Sequence, residues 1–82
     1  MIDVLYFAWL RERIGVPKEA LETSANSVEE LINELRDKSE AHALAFSDVS
    51  AVRVAVDQEL ADFSASLAGV REVAFFPPMT GG

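Results

Sequence analysis

The chain has 82 residues, half of them hydrophobic, with 14 acidic against seven basic side chains and a net charge of −7. That length allows one domain, whose small core buries about 60–65% of the surface its unfolded chain exposes. The charge argues against nucleic acid and anionic membranes as partners, and the lack of cysteine excludes a disulfide scaffold, a thiolate metal site and a cysteine nucleophile.

Met1-Ile2-Asp3-Val4 has no basic stretch leading into a long apolar run, so no signal peptide is expected. No apolar stretch of about 18 residues predicts a membrane span. A cysteine-free acidic chain of this kind fits a cytoplasmic location. The acidic excess is explained by solubility alone, and it also suits docking onto a basic partner.

Ile2 to Ala8 reads as a strand with Ile2, Val4, Tyr6 and Ala8 on one face and Asp3, Leu5, Phe7 and Trp9 on the other. Both faces are substantially apolar, which suggests a central strand or one covered by a partner. Trp9 to Ile14 reads as a helical turn stopped by Gly15, and Lys18 to Thr23 as the second strand of a hairpin. Ser27-Val28-Glu29-Glu30 has the form of a capping box. Val28, Leu31, Ile32 and Leu35 follow as one apolar stripe, predicting a helix to about Lys38 that packs on something flat.

Ala41 to Phe46 is ambiguous and compatible with a short helical turn. Val52 to Val56 reads as a strand, Asp57-Gln58 as a turn and Glu59 to Ala61 as a short edge strand. Gly69 marks another turn, and Glu72 to Phe76 a last strand rich in β-formers. Pro77-Pro78 ends it, since proline donates no amide to a ladder. One main helix among separated strands predicts an α+β fold, with a mixed sheet of four to five strands and the helix on one face. The two most apolar strands, Ile2–Ala8 and Glu72–Phe76, are the expected central pair.

The chemistry of such a chain is sparse. The single histidine, His42, has no cluster of partners in the sequence and is expected to be solvated. Nothing suggests a metal site, a nucleophile with a neighbouring base, or a Gly-rich phosphate cradle. Glu29-Glu30 is more simply a helix start than a catalytic pair. Strand alternation sends Phe75 and Phe76 to opposite faces, so one of them and Phe7 point away from the helix, with Leu60 able to join them. An apolar patch on the open face of a small sheet marks a partner-binding surface unless a loop covers it.

The end of the sequence, Met79-Thr80-Gly81-Gly82, is free of bulky side chains at its tip. Glycines thread a narrow channel that larger residues cannot enter, and Pro77-Pro78 stiffens the point of departure. The segment from Pro77 to Gly82 reaches roughly 20 Å when extended. The domain is therefore read as residues 1–76 and the segment 77–82 as a flexible tail that inserts into another protein's active site.

These residues resemble a known family. Glu72-Val73-Ala74-Phe75-Phe76-Pro77-Pro78-Met79-Thr80-Gly81-Gly82 is similar to the ending of the small, sulfur-carrying subunits of molybdopterin synthase, and Val4-Leu5-Tyr6-Phe7-Ala8-Trp9-Leu10-Arg11-Glu12 to their beginning. Val28-Glu29-Glu30-Leu31 and Ala55-Val56-Asp57-Gln58 stand in the matching intermediate places. The resemblance implies a ubiquitin-like β-grasp fold. It implies that a ubiquitin-activating-type enzyme uses ATP to adenylate the carboxylate of Gly82, which then becomes a thiocarboxylate. The tail, Pro77 to Gly82, enters the large subunit of a heterotetramer, and sulfur passes to cyclic pyranopterin monophosphate in molybdenum cofactor biosynthesis. The chain is then no enzyme by itself and binds no cofactor. The family's docking surface maps onto Phe7, Leu60 and Phe76, with Phe75 as the other candidate. Val70-Arg71-Glu72 and Val56-Asp57-Gln58 depart from the family's usual turn residues. A sulfur carrier of thiamine synthesis, a protein modifier and a plain binding module are the alternative readings.

Overall fold

β1 (Ile2–Tyr6) and β5 (Glu72–Phe76) run parallel through the middle of a five-stranded sheet, as the computed structural model shows for residues 1–78. β2 (Lys18–Leu21) pairs antiparallel with the outer side of β1. β3 (Arg53–Val56) pairs antiparallel with β5, and β4 (Glu59–Ala61) closes the far edge, giving the order β2-β1-β5-β3-β4. This is the ubiquitin-like β-grasp arrangement, with helices gathered on one side of a mixed sheet.

The helix α2 (Val28–Arg36) forms as its pattern predicts. Ser27 Oγ accepts from the Glu30 amide at 3.3 Å. The return bond differs from a full capping box, because Glu30 Oε1 accepts from the Asn26 amide instead. Val28, Leu31, Ile32 and Leu35 are all buried, in one cluster with Ile2, Val4, Tyr6, Val54, Val73 and Phe75 from the inner face of the sheet. The Arg36 guanidinium donates through Nε and Nη2 to the Phe46 carbonyl, fastening the end of α2 to the chain ten residues on.

Three features differ from expectation. β1 stops at Tyr6 rather than Ala8, because Ala8 takes the left-handed conformation (φ 54°) and turns the chain into α1 (Ala8–Ile14). That segment is a helix of seven residues, closed by Gly15 at φ 97°. The main helix is also joined by α3 (Glu40–Ala45) and a 3₁₀ turn at Val49–Ala51, so α2 is one of three α-helices among the described residues.

The third difference is His42, which is buried instead of solvated. Ser39 caps α3 and accepts from the His42 amide at 3.1 Å, and its hydroxyl lies 2.6 Å from His42 Nδ1. With that hydroxyl donating to Nδ1, the ring proton sits on Nε2 and points at Glu19 Oε2, 2.7 Å away. Tyr6 Oη donates to the same carboxylate oxygen at 2.6 Å, and Lys38 Nζ stands 3.7 Å from the other. One carboxylate on β2 thus joins β1, α3 and the loop before α3. Among the described residues no buried side-chain nitrogen or oxygen lacks a partner.

Burial alone raises the Glu19 pKa, but the hydrogen bonds of Tyr6 and His42, with attraction from His42 and Lys38, together hold it below the usual value of 4.5. Burial, together with the Glu19 hydrogen bond and charge, pushes the Tyr6 hydroxyl far above the ordinary phenol range. A carboxyl depressed in the folded state adds stability that is fully present above its unfolded pKa and is lost as pH falls through the folded one. Wild type is therefore expected to exceed Glu19→Gln in urea midpoint at neutral pH. The gap should narrow on acidification below pH 4.5, and a gap constant from pH 7 to about pH 3 would contradict this assignment.

Candidate functional site

With the helices on one side, the register of the strands dictates what the other side presents. Leu5 stands beside Ala74, Ala74 beside Ala55, and Ala55 beside Leu60, so an apolar band crosses four strands. Lys18 ends the band at the β2 edge. One row nearer the tail, Phe76 faces Arg53 across the ladder. Phe7 follows β1 on the same side, its amide bonded to the Phe75 carbonyl at 3.1 Å.

This open face is accessible at its edges and closed at its centre. Leu60 is 77% exposed and Phe7 44%, while Ala74 at 9% is covered by its neighbours. Phe76 is half-buried. In this patch large side chains stand proud of small ones, the relief typical of exposed apolar patches at contact surfaces.

Phe75 does not belong to it. The residue is fully buried, stacked on Tyr6 at 6.4 Å and set edge-on to Phe46 at 5.0 Å. Alternation along β5 places Phe75 in the core and leaves Phe76 as the residue turned outward. Phe7 and Leu60 fall on the same side as Phe76, as expected from the sequence.

Pro77 and Pro78 follow β5 without regular structure and are half-buried. Met79, Thr80, Gly81 and Gly82, the rest of the expected tail, lie outside the described residues. The departures noted in the turns are accommodated. Asp57 and Gln58 both have positive φ (48° and 70°), as a two-residue type I′ hairpin requires. Asp57 Oδ1 also accepts from the Arg71 and Glu72 amides, each at 3.0 Å, so it secures the start of β5.

Two features escaped sequence reasoning. The Tyr6–Glu19–His42 network joins residues far apart in sequence, and its one local sign is Ser39, three residues before His42, at capping distance. The second is Arg53, whose Nη1 donates to the Ser50 and Val52 carbonyls, each at 3.0 Å. Arg53 also borders an open, mainly apolar recess of about 300 Å³ lined by Val49, Val52, Val54, Ala61 and Phe63, with Ser50 and Asp62 as its other polar members. Among the described residues no group of three or more His, Asp and Glu side chains is placed to hold a metal ion, and no helix is long and apolar enough to cross a membrane.

A β-grasp domain with an apolar open face, whose central strand runs into a sequence ending in Gly-Gly, defines the class of ubiquitin-like carrier domains. The ThiS family matches residues 4–82, and the chain belongs to that family. It is 40% identical over 82 residues to the molybdopterin synthase sulfur carrier subunit of Escherichia coli, and 38% identical to that of Haemophilus influenzae, in each case over the full length of both proteins. Among solved structures, SAMP1 from Haloferax volcanii matches with a TM-score of 0.74 at 23% identity, over 99% of this chain and 98% of the other. A Pyrococcus furiosus protein described as molybdopterin converting factor, subunit 1, matches at 0.68 with 25% identity, over 95% and 97%.

The two neighbouring phenylalanines are expected to behave oppositely in denaturant. Phe75→Ala should cost about 3–5 kcal/mol, as for a fully buried aromatic, whereas Phe76→Ala should cost less than about 1.5 kcal/mol. Equal losses in urea unfolding would contradict the division between core and face.

Proposed function

We propose that this chain is the sulfur-carrier subunit of a molybdopterin synthase and that its reactive group is the carboxylate of Gly82. The observation that carries the reading is the coupling of two features on one strand. β5 supplies Phe76 to the open face and then, past Pro77-Pro78, leads into Met79-Thr80-Gly81-Gly82. Docking at that face therefore aims the tail. Full-length identity of 40% to a protein with that name supports the same reading.

The chemistry follows from the inertness of a carboxylate. Its oxygen attacks the α-phosphorus of ATP on a ubiquitin-activating-type enzyme, pyrophosphate leaves, and a mixed acyl–phosphate anhydride forms. A sulfur nucleophile equivalent to hydrosulfide then adds to the acyl carbon and AMP departs, leaving a thiocarboxylate on Gly82. The tail enters the large subunit, where the sulfur is passed to cyclic pyranopterin monophosphate and water supplies the oxygen that restores the carboxylate. The two glycines suit each passage because neither has a Cβ to obstruct a narrow channel. The domain contributes binding and aim, and the active site belongs to the large subunit of the heterotetramer. All partners of this cycle are cytoplasmic proteins in this reading.

Intact-mass spectrometry tests the proposal directly. After incubation with the activating enzyme, ATP and a sulfur source, the chain should gain the mass difference between sulfur and oxygen, and it should not when Gly82 is deleted. No gain in the wild-type chain with competent partners would refute the carrier reading, and conjugates to lysine in cell extract would favour a protein modifier.

Docking is tested separately. Phe76→Ala and Phe7→Ala should each weaken binding to the large subunit by about 1–3 kcal/mol in titration calorimetry. Unchanged affinity for both would remove the open face from the interface.

A further inference from the structure

We propose that Arg53 is a specificity-determining contact of the docking face, its guanidinium receiving an acidic side chain that the large subunit presents beside the entrance for the tail. The inference rests on the carrier reading above and adds to it a residue and a charge. Arg53 opens β3 and lies directly across the ladder from Phe76, the last residue before the two prolines. It is exposed, yet its guanidinium is oriented, because Nη1 spends its hydrogens on the Ser50 and Val52 carbonyls. That leaves the Nε–Nη2 edge, the fork that matches both oxygens of a carboxylate. Among the described residues this edge meets no acceptor within hydrogen-bond distance: Asp62, which lines the same recess, lies beyond ion-pair distance and accepts from the Ser64 amide and hydroxyl instead.

The other cations are differently employed. Lys18 and Lys38 stand 3.7 Å from Asp3 and Glu19, Arg36 is bound to the Phe46 carbonyl, and Arg13 lies over the Trp9 ring at 4.9 Å. Arg11 is on α1 and Arg71 precedes β5, away from the row that carries Phe76. On a chain of net charge −7, a pre-oriented cation at the root of the tail is the local exception to the sign of the whole. A partner attracted by the overall acidity meets here a cation whose free edge matches a carboxylate, which favours one register and disfavours surfaces that are uniformly basic. The ligand belongs to the partner's surface rather than to an adenylate on Gly82.

Titration calorimetry of the full chain against the large subunit of the same organism tests this, with Phe76→Ala as the reference variant. Arg53→Gln is expected to weaken binding about tenfold and Arg53→Glu further, with Arg53→Lys recovering part of the loss because it restores charge without the fork. The loss should shrink at high salt for Arg53→Glu, since screening relieves the introduced repulsion. Thermal melts of each variant separate this from loss of the Nη1 bonds: Arg53→Gln and Arg53→Glu share that loss, so only the binding data should distinguish them. Affinities of Arg53→Gln and Arg53→Glu within about twofold of wild type, while Phe76→Ala binds weakly, would overturn the Arg53 assignment and leave the docking face standing. Wild-type affinity in Phe76→Ala and Phe7→Ala as well would overturn the docking reading and this proposal with it.

Discussion

Phe75 and Phe76 are neighbours on β5 and serve opposite sides of the molecule. The alternation of side chains along a strand makes this unavoidable, and the central place of β5 makes it consequential. Inward, Phe75 meets Tyr6 and Phe46 at the centre of the core. Outward, Phe76 joins a face whose flat middle is built of Ala74 and Ala55 and whose raised parts are Phe7 and Leu60. A shift of β5 by one residue would exchange the two rings, burying the one on the open face and exposing the one that holds the core. The register is therefore guarded at both ends of β5: Asp57 binds the Arg71 and Glu72 amides, and the Phe7 amide binds the Phe75 carbonyl.

The polar cluster around Glu19 serves the same end on the other side of β1. Tyr6 has its ring in the core and its hydroxyl on Glu19, while His42 brings α3 to that carboxylate. A partly buried carboxylate is costly unless it is paired, and here Tyr6 and His42 donate to one oxygen while Lys38 stands 3.7 Å from the other. Tyr6 immediately precedes Phe7, so the network that fixes the end of β1 also sets where the first aromatic of the open face emerges.

Much of this was legible in the sequence. The α2 stripe, the Ser27 cap, the Asp57-Gln58 turn and the strand at Glu72–Phe76 each follow from local chemistry, and each is present. Alternation predicted that only one of Phe75 and Phe76 could face outward, but choosing between them needs the register of β5 against β1 and β3, which no local pattern encodes. Ala8 is hidden for a related reason: an alanine gives no local sign that it will adopt positive φ. His42 looked solvated because its partners, Glu19 and Tyr6, lie 23 and 36 positions earlier. Arg53 is inconspicuous in the sequence because an arginine in a strand is ordinary until its partner across the ladder is known.

The parallel pairing of β1 with β5 also bears on how the molecule is made. Synthesis produces β5 after the other four strands, yet its place is between β1 and β3. Until it arrives the sheet has a vacant middle, and the pairings that join residues 3–6 to residues 72–75 close the longest loop in the fold. The segment that follows β5 is thus presented on a finished sheet only when the whole domain has assembled. A truncated or misfolded copy would lack the rigid base from which that segment departs. Completion of the sheet and departure of the chain beyond β5 are therefore tied to one pairing event, the one that closes the longest loop.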